Sequence, residues 1–181
     1  MKASYFVSGL TYLPRQDGSS NGNIGQHTIA LSADGLTFST PVAIGTYWDE
    51  KRSKTTLFTP RSARYVRLIA LTEAGGRGPW TSAAEITLAY STTYTPPTLG
   101  QGSWDLTIDF PTVPVAAFVV PQNGKVLVFS SFEPHNFGGG TGRTVTAVYD
   151  PATKLVTGRV VANTQHDMYV QIISQISDLT T

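Results

Sequence analysis

Leu13-Pro14-Arg15-Gln16-Asp17-Gly18-Ser19-Ser20-Asn21-Gly22 separates two strand-like segments, residues 4–13 and 25–32. One proline, two glycines and several Asx and Ser residues mark it as a turn or loop. Just beyond it, His27-Thr28-Ile29-Ala30-Leu31 alternates polar and apolar residues with the period of a half-buried strand. Strand, polar loop, strand is a β signature, and the rest of the chain repeats it. The loop also carries a guanidinium, an amide and a carboxylate. A guanidinium donates a fixed fork of hydrogen bonds, while Asp and Asn accept or bridge. Arg15, Asp17 and Asn21 therefore suit a short rigid loop that reads neighbouring sugar hydroxyls. The same residues suit an ordinary polar loop in which Arg15 pairs with Asp17.

Working outward, Ser32-Ala33-Asp34-Gly35 turns the second strand back toward Phe38. Residues 55–59, 64–71 and 84–90 read as further strands, with Val66, Leu68 and Ala70 on one face of the middle one. Residues 93–103 are Ser, Thr, Pro, Gly and Gln with almost no apolar content, and they read as a linker that Pro96-Pro97 holds extended. Beyond it, residues 115–120, 126–129, 145–149 and 155–161 are short strands joined by tight turns. Val126-Leu127-Val128-Phe129 is apolar without alternation, as in a strand buried on both faces.

The chain has 181 residues, of which 14% are charged and 40% hydrophobic, with 17 Gly and 11 Pro punctuating the apolar runs. No stretch sustains a helical period, so the expected class is all-β. A formal net charge of +1 leaves no basic footprint for nucleic acid. No apolar run reaches the roughly 20 residues that a membrane-spanning helix needs. Absence of cysteine excludes disulfides, thiolate metal sites and a cysteine nucleophile. The N-terminal stretch is too soon polar for a signal peptide, and reads as a strand that begins abruptly.

Several stretches resemble the fungal galactose oxidase family of copper radical oxidases. Residues 13–18, the 32–35 turn, Ala63-Arg64-Tyr65-Val66-Arg67-Leu68 and Trp80-Thr81-Ser82-Ala83-Ala84-Glu85-Ile86 are similar to the later part of its discoidin-type, galactose-binding β-sandwich. Residues 104–168, with Phe137-Gly138-Gly139 and His166-Asp167-Met168, are similar to the opening of its Kelch-type propeller. The resemblance implies a sandwich over residues 1–92 that lacks its first strands, a linker at 93–103, about one propeller blade over 104–168, and a divergent tail at 169–181. That tail departs so abruptly that translated intron sequence is one expectation for it; a divergent C-terminal strand is the other.

The resemblance also assigns expectations to single residues. Arg15 and Asn21 correspond to loop residues that contact a galactose-like ring, and Trp80 to the aromatic that stacks on its apolar face. Trp80 could equally be a packing residue beside Pro79. Glu85 matches a residue that helps hold a structural cation, a site needing several oxygens; a solvated surface carboxylate is the plainer expectation. Phe137 matches a substrate-pocket aromatic whose partners are missing here. The family's copper ligands lie downstream of this chain, and Val170 stands where the family has its cross-linked cysteine, so no copper site is expected. His27, His135 and His166 lack ligand spacing, and residues 138–143 precede a strand rather than the helix a phosphate loop would open.

The leading expectation is a non-catalytic fragment of a galactose-oxidase-like protein with a weak module for galactose-type sugars or glycans. An oxidase, with activity residing in the missing propeller, and a glycan- or protein-contacting adhesion module are the alternatives. The family is typically extracellular, although the chain shows no export signal. Exposed sheet edges would favour self-association.

Overall fold

The computed structural model describes residues 1–98, 100, 102, 104–130 and 142–162. Among them are eleven strands and no helix, so none is present to cross a membrane. The strands are β1 Tyr5–Leu13, β2 Gln26–Ser32, β3 Ala43–Thr46, β4 Lys54–Ala63, β5 Tyr65–Ala70, β6 Glu85–Ser91, β7 Thr107–Asp109, β8 Ala116–Val119, β9 Val126–Phe129, β10 Arg143–Asp150 and β11 Leu155–Ala162. They divide between two compact units. One comprises Met1–Pro111 with Lys154–Val156; the other holds the described residues of Thr112–Thr153 and those from Thr157 onward.

The first unit is a discoidin-type β-sandwich. One sheet has the order β4-β1-β6 and the other β5-β2-β3-β7. β1 lies antiparallel to both neighbours, with an irregularity between Val7 and Gly9. Its Val7, Leu10 and Tyr12 point inward beside Phe58 of β4, and meet Ile29 and Leu31 of β2 in the core. Val66, Leu68 and Ala70 pack against that core as one face of β5, as their spacing predicts. The 32–35 turn is held by its own side chains. Asp34 accepts from the backbone N–H groups of Leu36 and Thr37 and from the Ser32 hydroxyl, which pulls its carboxyl down to about 2.

β7 differs from the sequence expectation. The resemblance places residues 104–111 in the second region, yet Thr107–Asp109 pairs in parallel with β3, and the first unit runs to Pro111. The reason lies at Gly45. A Cβ there would stand 2.3 Å from the Asp109 carbonyl oxygen, so only glycine lets the two backbones approach this closely. Asp109 then reaches into the sandwich. Its carboxylate accepts from the Thr56 hydroxyl and lies 3.1 Å from His27 Nε2. His27 is buried, with its ring stacked 3.8 Å from that of Tyr47, so its place is structural.

The second unit holds a four-stranded sheet of order β11-β10-β9-β8, with strands adjacent in sequence adjacent in space. β9 lies antiparallel to β8 and β10. Val128, Phe129, Val145 and Ala147 are buried. His135, Phe137, residues 138–141, His166, Val170 and the 169–181 tail lie outside the described residues.

Candidate carbohydrate-binding site

Arg15, Asp17 and Asn21 come together at one end of the sandwich, in the connection between β1 and β2. The Arg15 guanidinium donates to both Asp17 carboxylate oxygens, with Nε 2.8 Å from Oδ1. Its Nη1 donates to Asn21 Oδ1 at 2.7 Å. Asp17 also accepts from the backbone N–H of Ser19, closing the loop on itself. The hydrogen bond from Arg15, followed by that from Ser19, holds the Asp17 carboxyl below the usual carboxylate range. The pairing of Arg15 with Asp17 and a polar surface able to meet hydroxyls are thus the same arrangement. Each side chain is fixed, and both partners remain partly open to solvent.

Trp80 approaches this loop from the segment between β5 and β6. Ser82 donates its N–H to the Gly22 carbonyl at 2.8 Å, which brings Ser82 alongside residues 21–22. Tyr12, buried under the loop, donates from its hydroxyl to the Ser82 carbonyl and accepts from the Ile24 N–H. Burial pushes its phenol above the ordinary value, so it stays a neutral tie between the two loops. The Trp80 ring rests on the backbone of Gly78, where a Cβ would stand 2.9 Å from Cζ3. Gly78 also has a φ of 137°, a conformation that side-chain-bearing residues rarely adopt. With one side of the ring on that backbone, 53% of Trp80 is exposed. An indole in this position is a platform for the C–H face of a sugar ring.

A second polar network, not foreseen from the sequence, braces the same loops. Arg77 donates to both oxygens of Asp49, at 2.8 and 2.9 Å, to Glu73 and to the carbonyl of Ser20. The Glu73 carboxylate, almost wholly buried, also accepts from the backbone N–H groups of Gly75 and Arg77. Burial pushes the Glu73 and Asp49 carboxyls up, but hydrogen bonds and the charge of Arg77 outweigh it, and both end below the usual range. Asn23 completes the brace by donating to Asp49 at 3.0 Å. The i,i+4 spacing of Glu73 and Arg77 across two glycines was a signal in the sequence; nothing local marked Asp49.

Glu85 opens β6 opposite Leu13 and is exposed. Among the described residues no group of three or more His, Asp or Glu side chains is placed to hold a metal ion.

Residues 1–86 match the F5/8 type C domain family. Over 175 residues the chain is 47% identical to the galactose oxidase of Gibberella zeae, a match covering 96% of this chain. The chain is a homologue of galactose oxidase over that stretch, and it spans 26%, about a quarter, of the length of that relative. A sialidase of Micromonospora viridifaciens is 37% identical over 73 residues, 40% of this chain and 11% of its own. Among solved structures, CpGH89CBM32-5 from Clostridium perfringens in complex with GalNAc-beta-1,3-galactose overlaps 48% of this chain and 58% of its own, at 37% identity and a TM-score of 0.43.

Proposed function

We propose that the first unit is a carbohydrate-binding module for galactose-type sugars within a galactose-oxidase-like protein. The observation that carries this reading is the exposed Trp80 ring, seated on Gly78 in a segment that Ser82 ties to the end of the ordered Arg15–Asp17–Asn21 loop. The sugar lays its C–H face on the indole and turns its hydroxyls toward the loop. Arg15 spends Nε and much of its fork on Asp17 and Asn21, which leaves few donors to face outward. Binding is therefore weak, with a dissociation constant in the millimolar range. Asp17 supplies acceptors, and the Asn21 amide nitrogen a donor. The chain itself takes up no copper and oxidises no alcohol, and the second unit is the first blade of a Kelch-type propeller. What supports the blade is its sheet of four strands in sequence order.

An NMR titration of isotopically labelled chain with galactose tests the module. Shifts are expected at residues 15–22 and 78–82, and Trp80→Ala abolishes them while leaving the rest of the spectrum in place. Absence of any galactose-dependent shift at millimolar sugar overturns the proposal. Copper-supplemented chain given galactose yields no hydrogen peroxide; sustained peroxide formation contradicts the non-catalytic reading.

A further inference from the structure

His27 lies on β2 inside the sandwich, and both of its ring nitrogens meet oxygen. Nδ1 is 3.1 Å from the Gly25 carbonyl, and Nε2 is 3.1 Å from Asp109 Oδ2. A carbonyl oxygen only accepts, so Nδ1 carries a proton and donates it. Neighbouring groups fix the roles at Nε2. Burial, then the charge of Asp109, holds the Tyr47 phenol above its ordinary value, so the phenol keeps its proton. Its hydroxyl meets that of Thr56 at 2.7 Å, and Thr56 donates to Asp109 Oδ2. The Thr56 hydrogen is thereby spent, so Tyr47 donates to Thr56. An ionised carboxylate oxygen that accepts from Thr56 has room for a second donor, which is Nε2–H. The Tyr47 ring also stacks 3.8 Å from the imidazole, and an aromatic face attracts a cation. Among the described residues, Asp109 from β7 and Tyr47, just beyond β3, are the titratable groups against the ring. Its cross-strand partners, Gly45 and Ala70, carry no charge.

We propose that His27 holds a proton on each ring nitrogen, and that the second of these protons latches β7 onto the sandwich. β7 is three residues long and pairs in parallel with β3, the less stable kind of ladder per residue. Its side chains therefore matter to its place. Thr107 donates from its hydroxyl to the Leu57 carbonyl at 2.7 Å, and Asp109 ties the strand to His27 and Thr56. When the ring loses one proton, a bare nitrogen is left facing an acceptor inside the protein, which is costly. The latch is closed while the ring holds both protons and opens as pH rises. That sign is opposite to the carboxylates of the loop end, whose contribution is lost as pH falls. The inference is independent of sugar binding, because neither His27 nor Asp109 belongs to the proposed sugar site.

Nitrogen-15 NMR of the His27 ring in the unmodified chain reads the proton count directly. At neutral pH both ring nitrogens are expected at the position of protonated nitrogen, and a bare Nδ1 or Nε2 overturns the proposal. The pH is then raised until the ring loses a proton. The Thr107 N–H, which donates to the Val42 carbonyl, reports whether β7 stays in place. Its protection from hydrogen exchange, corrected for the intrinsic effect of pH, falls about tenfold or more at that step, while the β1 amides keep theirs. Unchanged Thr107 protection across the step overturns the latch. In Asp109→Asn the amide accepts from Nε2–H or donates to a bare Nε2, so either state of the ring is satisfied. Thr107 protection in that variant should not follow the ring; a pH response as large as the parent's overturns the proposal too.

Discussion

β1 and β6 both point apolar residues inward, evenly spaced in β6 and offset by the irregularity between Val7 and Gly9 in β1, yet one strand forms the centre of the core and the other stays half in water. β1 has a neighbour on each side and the β2 sheet across from it; among the described residues β6 pairs with β1 on one side, and only its Leu88 packs against the core. Periodicity tells a side chain which way to point. Burial is then decided by what stands opposite, and that is a property of topology.

The largest test of this contrast is a pair of truncations. Leu10→Ala empties a closed site and is expected to cost about 2–5 kcal/mol of stability. Ile86→Ala removes atoms already half exposed and should cost about 1 kcal/mol or less at the upper range of surface effects. Urea unfolding of both variants compares them; equal losses would mean that β6 is covered as well as β1. Because a domain of this size holds only about 5–15 kcal/mol, Leu10→Ala is also the variant expected to melt lowest.

A smaller effect sharpens the comparison from the loop end, where polar rather than apolar groups close the structure. Arg77→Met leaves Glu73 buried without its countercharge and should cost about 3 kcal/mol, the lower end for a broken buried pair. The pH dependence follows from the depressed carboxyls of Asp17, Asp34, Asp49 and Glu73. Each favours the fold when ionised, so its contribution is present above the ordinary carboxylate range and is lost as pH falls toward about 2, the value of Asp34. Arg77→Met removes part of this dependence. The gap between variant and parent should therefore narrow on acidification, measured as the thermal midpoint from neutral pH down to pH of about 3. A gap that widens would show that Arg77 does not stabilise ionised Glu73 and Asp49.

Much of this architecture was legible in the residues. Val126–Phe129 forms a strand with the bounds its apolar run suggests, and most others lie within a residue or two of their alternating segments. β3 and β7 were not legible. Ala43–Thr46 contains a glycine that weakens any strand signal, and Thr107–Asp109 is too short to show a period. β3 is held by its antiparallel pairing with β2, and β7 exists because it pairs with β3 through the close approach at Gly45. The site divides in the same way. Arg15, Asp17 and Asn21 sit within seven residues of one loop, so their meeting follows from sequence distance. Asp49, Glu73 and Arg77 meet across two separate connections, and only the fold brings Asp49 to the others. Trp80 could be recognised as an aromatic near the last strand of the sandwich, but its exposure depends on the Gly78 backbone beneath it.

Hydrogen exchange, followed by NMR at a dilute and a concentrated setting, addresses the contrast between the two strands most directly. The β1 amides should exchange slowly at both concentrations, because the core closes over them, while the outward amides of β6 should be fast when dilute. Equal, concentration-independent protection of β1 and β6 would contradict the account, since it would mean that the edge is already closed within a single chain.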